Sequence, residues 1–325
     1  AAFRPRTRSA DGKGCCALTP NSILLAGALS RKERELFAAE FGKSITEQTP
    51  DTVRFAVVWK PDLGLMAQLP SLEAIFSLGA GVDHVLRDPD LPNVPLVRFV
   101  DPDLTGRMME WVVLQCLMHL RRQRDYDSRQ RNHRWEQLPM PTAREMTVGI
   151  MGLGTLGEAC AQALRAMHFN VRGLVRGAKE VEGVEIFTND GEDEFLSGTD
   201  ILVNLLPLTN ATRRMIDKSL IAKLRADGPL GGPVIINAGR GGSQVESDIA
   251  EALREGTLAG VSLDVFETEP LTADSPLWDF DNAILTPHMA AATDPSALVA
   301  HVKRQIKRVE RGEPLEHVVD RKRGY

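Results

Sequence analysis

Residues 147–176 read TVGIMGLGTLGEACAQALRAMHFNVRGLVR, and this stretch decides the fold. Thr147 to Met151 is a short apolar run of the kind that forms a buried strand. Glu158 to Met167 carries apolar residues at helical spacing. Between them Gly152, Gly154 and Gly157 space out as G-x-G-x-x-G. In a strand, turn and helix the three glycines serve different ends. Gly152 permits the tight turn, Gly154 lets the backbone approach a pyrophosphate, and Gly157 lets the helix pack close to the strand. The N–H groups at the helix start then face the anion. Alone such a fingerprint is weak, but the strand before it and the βαβ unit around it supply its context. The segment reads as a dinucleotide clamp.

Val171 to Val175 forms the second strand of that unit. An NAD site would place Asp or Glu near its tip to accept hydrogen bonds from the ribose 2′-hydroxyl. This chain offers Val175, Arg176 and, a little later, Lys179. Cations in place of the acid suit a 2′-phosphate, so NADP(H) is expected in preference to NAD(H). Weighed against this is the ordinary state of Arg and Lys, which is a solvated surface charge.

Working outward, 325 residues suffice for two domains, each with its own core. Before the clamp, Ser22 to Ala26, Phe55 to Trp59, Ala74 to Ser77 and Leu96 to Phe99 read as strands, with Arg31 to Phe41 an amphipathic helix. A long helical pattern runs from Leu104 to Arg124, apolar at Met108, Val112, Cys116 and Leu120. After it come six candidate strands, at 147–151, 171–175, 201–205, 233–237, 260–264 and 283–286, with helices between most of them. That alternation predicts a doubly wound parallel α/β sheet of Rossmann type. The amphipathic tail, Pro295 to Arg311, follows a sheet already complete and is expected to return to the first domain. The expected division is therefore 1–112 with 289–325 as a smaller, discontinuous α/β domain, and 113–288 as the dinucleotide domain.

Composition narrows the function classes. Asp and Glu number 44 against 39 Lys and Arg, a net charge of −5 that argues against a nucleic-acid partner. Arg121, Arg122, Arg124, Arg129, Arg131 and Arg134 fall in a polar stretch beyond a helix and read first as a solvated face. Cys15, Cys16, Cys116 and Cys160 make neither a zinc spacing nor a disulfide framework, which fits a reducing cytoplasm; no metal is expected. No apolar run approaches the roughly 20 residues of a membrane span. The first twenty residues, rich in Arg and Ser and poor in acids, fit a transit-peptide remnant, a trimmed end or a plain extension alike, so organellar import stays open.

The chemistry is expected at strand ends. Arg240 follows PVIIN, Glu269 follows SLDVF and His288 follows AILTP. All three stand just beyond carboxyl ends, the edge where open α/β sheets bind ligands. Reduction of a carbonyl needs a proton for the new alkoxide, and a histidine beside a carboxylate, which favours the imidazolium, is a good donor. Arg240 offers a planar fork for a substrate carboxylate. Taken singly, each has an ordinary alternative: a partly buried histidine, a charged turn, a surface arginine. Their joint placement opposite a nucleotide loop favours the catalytic set.

GAGVDH at 79–84, GLGTLG at 152–157, NLLPLTNAT at 204–212, INAGRGG at 236–242, LDVFETEPL at 263–271 and TPHMAAAT at 286–293 resemble, in order and spacing, the D-isomer-specific 2-hydroxyacid dehydrogenases. The likeness runs from about Ile23 to the C-terminus. VVWKP at 57–61, EWVVLQ at 110–115, HRWEQLP at 133–139, SPLW at 275–278 and the terminal VDRKRGY resemble the branch that reduces glyoxylate and hydroxypyruvate. The resemblance implies a flavodoxin-like first domain and NADPH-dependent reduction of a small 2-keto acid, glyoxylate to glycolate or hydroxypyruvate to D-glycerate. Arg240, Glu269 and His288 fall on the family's catalytic residues. Ala80, Gly81 and Val82 fall on its carboxylate-holding loop, and Trp59 on a pocket tryptophan. For the cofactor it implies Leu153, Gly154, Thr155 and Leu156 at the pyrophosphate and Arg176 at the 2′-phosphate. Leu206, Pro207 and Thr212 fall on the adenosine side, and Ala238, Arg240 and Asp264 near the nicotinamide. It also implies a homodimer through 104–124.

Departures are Asn237-Ala238-Gly239, in place of the commoner residues before the arginine, and Met289, where many relatives carry a smaller branched side chain. Three rivals are weighed. An NAD(H)-sensing corepressor is disfavoured by Arg176. A formate dehydrogenase would pair its histidine with Gln. A phosphoglycerate dehydrogenase would usually carry an acid near position 175 and often a C-terminal regulatory domain.

Overall fold

The computed structural model describes residues 18–324; Cys15, Cys16 and most of the Arg- and Ser-rich start lie outside the described residues. The chain divides into two compact units, one comprising the described residues up to Asp101 together with those from Thr293 onward, the other Pro102–Ala292.

The first unit holds a five-stranded sheet in the order β2-β1-β3-β4-β5. Its strands are β1 (Ile23–Gly27), β2 (Ile45–Thr46), β3 (Phe55–Trp59), β4 (Ala74–Ser77) and β5 (Leu96–Val97). Every pairing between these strands is parallel, and 2-1-3-4-5 is the flavodoxin-like order. Parallel sheets are covered on both faces, which is why FAVV and AIFS are buried without alternation. The returning helix Pro295–Glu310 starts on an Asp294 cap, buries Leu298, Val299, Val302 and Ile306, and supplies Glu310 to Arg54 at 2.6 Å. Arg54 also grips Glu73 at 2.7 Å, so one guanidinium joins β3, β4 and the tail helix.

The second unit holds seven parallel strands in the order β12-β11-β10-β9-β6-β7-β8. They are β6 (Thr147–Met151), β7 (Asn170–Leu174), β8 (Glu185–Phe187), β9 (Ile201–Asn204), β10 (Val234–Asn237), β11 (Gly260–Leu263) and β12 (Ala283–Leu285). The hydrophobic pattern predicts six of them. The seventh, β8, is a three-residue edge strand that buries only Phe187, too short for any periodicity. β2, of two residues, escapes the pattern for the same reason.

The boundaries between the units fall at 101/102 and 292/293 instead of 112/113 and 288/289. The cause is packing: Met108, Trp111, Val112, Cys116 and Leu120 of the helix Pro102–Leu120 join the core of the second sheet, as does Ala290. The helix stops short of the expected Arg124. Arg122, at φ 52°, breaks it, and a separate helix, Gln123–Arg131, buries nothing. Of the arginine run, Arg121, Arg131 and Arg134 are exposed while Arg122, Arg124 and Arg129 are half-buried, with Arg129 beside Glu136 and Arg131 beside Asp281. Among the described residues no helix is long and apolar enough to cross a membrane, and no group of three or more His, Cys, Asp or Glu is placed to hold a metal ion.

Behind the second sheet lies a buried polar chain. Ser262 Oγ donates to Gln115 Oε1 at 2.9 Å and so accepts from His119 Nε2 at 2.9 Å. Burial pushes His119 down to about 4, and burial with the nearby Arg304 and His317 does the same to His301 in the first unit. In the unfolded chain an imidazole titrates near 6.5, so as pH falls the unfolded state takes up protons first. The stability these neutral rings contribute is complete above about pH 6.5 and is lost progressively as pH falls through about 4. A His119→Gln variant, which cannot titrate, should show a smaller fall in melting temperature between about pH 7 and about pH 4.5 than the wild type. Equal slopes in a thermal-melt series across that range would contradict the assignment.

Candidate active site

Because every strand of the second sheet runs the same way, the loops after β6, β9, β10, β11 and β12 all leave from one edge. The loop after β6 is the glycine fingerprint. Gly152 sits at φ 97°, and a Cβ there would crowd the Leu205 carbonyl carbon at 3.1 Å. A Cβ on Gly157 would lie 2.0 Å from the Gly152 oxygen, so this glycine closes helix onto turn. Gly154 is different: nothing lies within 4 Å of where its side chain would begin. It is also the N-cap of the helix Thr155–Ala166 and makes no side-chain cap hydrogen bond. The amides at that helix start therefore border open space suited to a pyrophosphate.

Leu153 is buried, its side chain filling the place a Cβ on Gly173 would take, so only its backbone can meet a ligand. Arg176 is exposed just past β7. Lys179 donates to the Leu153 carbonyl and pairs with Glu158 at 2.9 Å, tying the second strand's tip to the glycine loop. After β9, the Thr212 hydroxyl donates to the Pro207 carbonyl at 2.7 Å and accepts from Thr209 N–H at 2.8 Å, which closes the 207–212 loop beyond Leu206.

Arg240 follows β10 through buried Ala238 and a turn with no room for side chains beside it. A Cβ on Gly239 would meet the Leu206 oxygen at 2.7 Å, and one on Gly241 the Phe266 oxygen at 1.8 Å. The Arg240 guanidinium donates to the Gly239 carbonyl at 2.8 Å.

The fold brings His288 and Glu269 together. The His288 Nδ1 lies 2.9 Å and 3.0 Å from the two Glu269 oxygens, and the Phe266 N–H steadies that carboxylate at 3.3 Å. An ionised carboxylate only accepts, so Nδ1 carries a proton and Nε2 is the nitrogen left to meet a substrate. Asp264 builds the turn that presents the ring. Its carboxylate accepts from Thr286 Oγ1 at 2.6 Å, Met289 N–H at 2.9 Å and Ala290 N–H at 2.9 Å, while its carbonyl accepts from His288 N–H at 2.8 Å. These bonds hold His288 at φ 52°, a left-handed conformation that only a well-determined surrounding sustains in a residue with a Cβ. Nothing in the sequence announces this scaffold.

In the first unit, Trp59 ends β3 with its indole over Gly79, where a Cβ would lie 2.3 Å from the ring, and edge-on to His84 at 4.6 Å between centroids. Ala80 and Gly81 follow half-buried, with Val82 buried. Sequence reasoning misses a set of fully buried amides behind the second unit's loops, Asn204, Asn237 and Gln244. The available signal is a polar residue closing each of two apolar strands, ILVN and VIIN.

A family described as D-isomer specific 2-hydroxyacid dehydrogenase, NAD binding domain, matches residues 113–290, more than half of the chain. The glyoxylate/hydroxypyruvate reductase A of Klebsiella pneumoniae (strain 342) is 42% identical over 278 residues, covering 83% of this chain and 87% of the relative. A crystal structure of an NADPH-dependent glyoxylate/hydroxypyruvate reductase from Sinorhizobium meliloti, in complex with NADP and sulfate, superposes with a TM-score of 0.89 at 49% identity, over 93% of this chain and 99% of that one. A probable 2-hydroxyacid dehydrogenase from Rhizobium etli, in complex with NADP, HEPES and L(+)-tartaric acid, gives 0.88 at 50% identity, with the same two coverages. With its glycine loop and its paired histidine and glutamate in the matched region, the chain belongs to the D-isomer-specific 2-hydroxyacid dehydrogenase family.

Proposed function

We propose that this protein reduces small 2-keto acids with NADPH, converting glyoxylate to glycolate and hydroxypyruvate to D-glycerate. The observation that carries the reading is the 2.9 Å contact of His288 with Glu269, on the same sheet edge as a glycine loop whose middle glycine opens on free space. The names of the Klebsiella and Sinorhizobium relatives and the NADP in two similar crystal structures support the substrate class and the cofactor.

The cradle at 152–157 fits a dinucleotide, with the amides of Thr155 and Leu156 toward the pyrophosphate. Arg176 takes the 2′-phosphate, while Lys179, its charge offset by Glu158, borders the cofactor by holding the Leu153 carbonyl. Leu206, Pro207 and Thr212 border the adenosine, Ala238 and Asp264 the nicotinamide end. When bound, the reduced nicotinamide supplies a hydride to the keto carbon. Arg240 holds the substrate carboxylate and polarises the adjacent ketone. His288, with Nδ1 fixed on Glu269, gives the Nε2 proton to the oxygen, so that one hydride and one proton turn C=O into CH–OH. On the first unit we assign substrate contact to Ala80, Gly81, Val82 and Trp59. We infer a homodimer through the 104–124 region, where Leu114 is an exposed apolar side chain.

Replacing the proton donor by His288→Ala should lower turnover by about 10² to 10⁴-fold while NADPH still binds; unchanged turnover would remove His288 from the mechanism. Arg176→Ala should weaken NADPH far more than NADH in a fluorescence titration, and an equal effect on both would sink the 2′-phosphate assignment. Asp264→Ala strands three donors of the His288 turn, so chemical denaturation should show a loss of about 3 kcal/mol together with collapse of turnover. A variant as stable and as active as the wild type would contradict that role.

A further inference from the structure

The Arg240 turn and the Glu269 turn are joined behind the site by one buried side chain. Gln244 is fully buried, between Ser243 and the start of the helix Glu246–Glu255. Its Oε1 accepts from Asn237 Nδ2 at 2.7 Å, and its Nε2 donates to the Val265 carbonyl at 3.0 Å. Each contact leads to a functional loop. Asn237 uses its Oδ1 for the Gly239 N–H at 3.0 Å and for Asn204 Nδ2 at 2.9 Å, and its Nδ2 also reaches the Arg240 carbonyl at 3.3 Å. The Arg240 carbonyl is held again by Ser243 Oγ at 2.6 Å. On the other side, Val265 precedes Phe266, whose N–H donates to Glu269.

We propose that Gln244 is a positioning residue that sets Arg240 against the Glu269-His288 pair, resting on the catalytic roles given above. The two turns touch through backbone at Gly241 and Phe266, with no space for a side chain between them. A contact that tight fixes how close the loops come, but it does not stop one from sliding along the other. A planar amide bonded at both ends does, because its donor and acceptor are a set distance apart and neither bond survives a shift of about an ångström. Water cannot substitute in a site with no exposed surface, so losing the amide leaves Asn237 Nδ2 and the Val265 oxygen without a bond that each now makes. Loops displaced on that scale lose about 10²-fold in rate without contact between the altered residue and the substrate.

The test compares full-length wild type with Gln244→Met, which keeps volume and loses both bonds, and with Gln244→Asn, whose neutral amide is one methylene too short to span both. With glyoxylate and NADPH, kcat/KM should fall about 10 to 100-fold in the methionine variant and less in the asparagine variant, through both kcat and KM, with NADPH affinity unchanged. In an Arg240→Lys, Glu269→Gln background the same replacement should cost less than about threefold, because a residue acting through those two has nothing left to position. A merely structural role would give the full loss in either background. The imidazole NMR resonances of His288, read without turnover, should move in Gln244→Met. Should the methionine variant fail to fold, the asparagine variant carries the same comparison. Folded variants with wild-type kinetics and unmoved His288 resonances would overturn the proposal. Wild-type protein that oxidises NADPH with no 2-keto acid would overturn the functional reading instead, leaving the resonances to decide the positioning role.

Discussion

Parallel pairing throughout the second sheet delivers every strand's carboxyl end to the same edge, and the site rests on that alignment. Backbone hydrogen bonds fix the register of β10 with β11, pairing Asn237 with Leu263, and of β11 with β12, pairing Leu263 with Leu285. Arg240, Glu269 and His288 then follow within a few residues of those fixed points. Precision in a chain this long comes from keeping functional residues near strand ends, where few torsions intervene between the sheet and the side chain.

The short loops are stiffened by two means. Where backbones cross, glycines remove the side chains, as at Gly157 over Gly152 and Gly241 over Phe266. Where backbones turn, buried acceptors collect the N–H groups that would otherwise face nothing, as Asp264 does for the 286–290 turn. Unpaired polar groups in such places are expensive, so full satisfaction and a single conformation go together.

Much of this is legible in the chain. The apolar runs and the glycine spacing reveal the alternating α/β order, because a buried parallel strand reads as an unbroken hydrophobic stretch. Glu269 and His288 are legible because each stands shortly after such a run. What stays hidden has a common cause. β8 and β2 are too short to show a period, and the break at Arg122 rests on a left-handed residue that no glycine announces. Lys179 reads in sequence as a cation for a 2′-phosphate, and only the folded loop reveals Glu158 across from it. The ends of the units are displaced from their expected places because a helix shows which face is apolar but not which sheet it will cover.

The burial of the supporting network contrasts with the state of the pair it supports. Asn237, Ser243 and Gln244 are sealed from water, yet the His288 and Glu269 side chains keep 36% and 24% of their surface open. An imidazole so placed is open to water. In the reaction proposed above, solvent and buffer recharge the donor between turnovers, with no relay of side chains to carry the proton in. On that proposal rigidity is confined to groups that keep their protons throughout, and the group that gives one up sits where water reaches it.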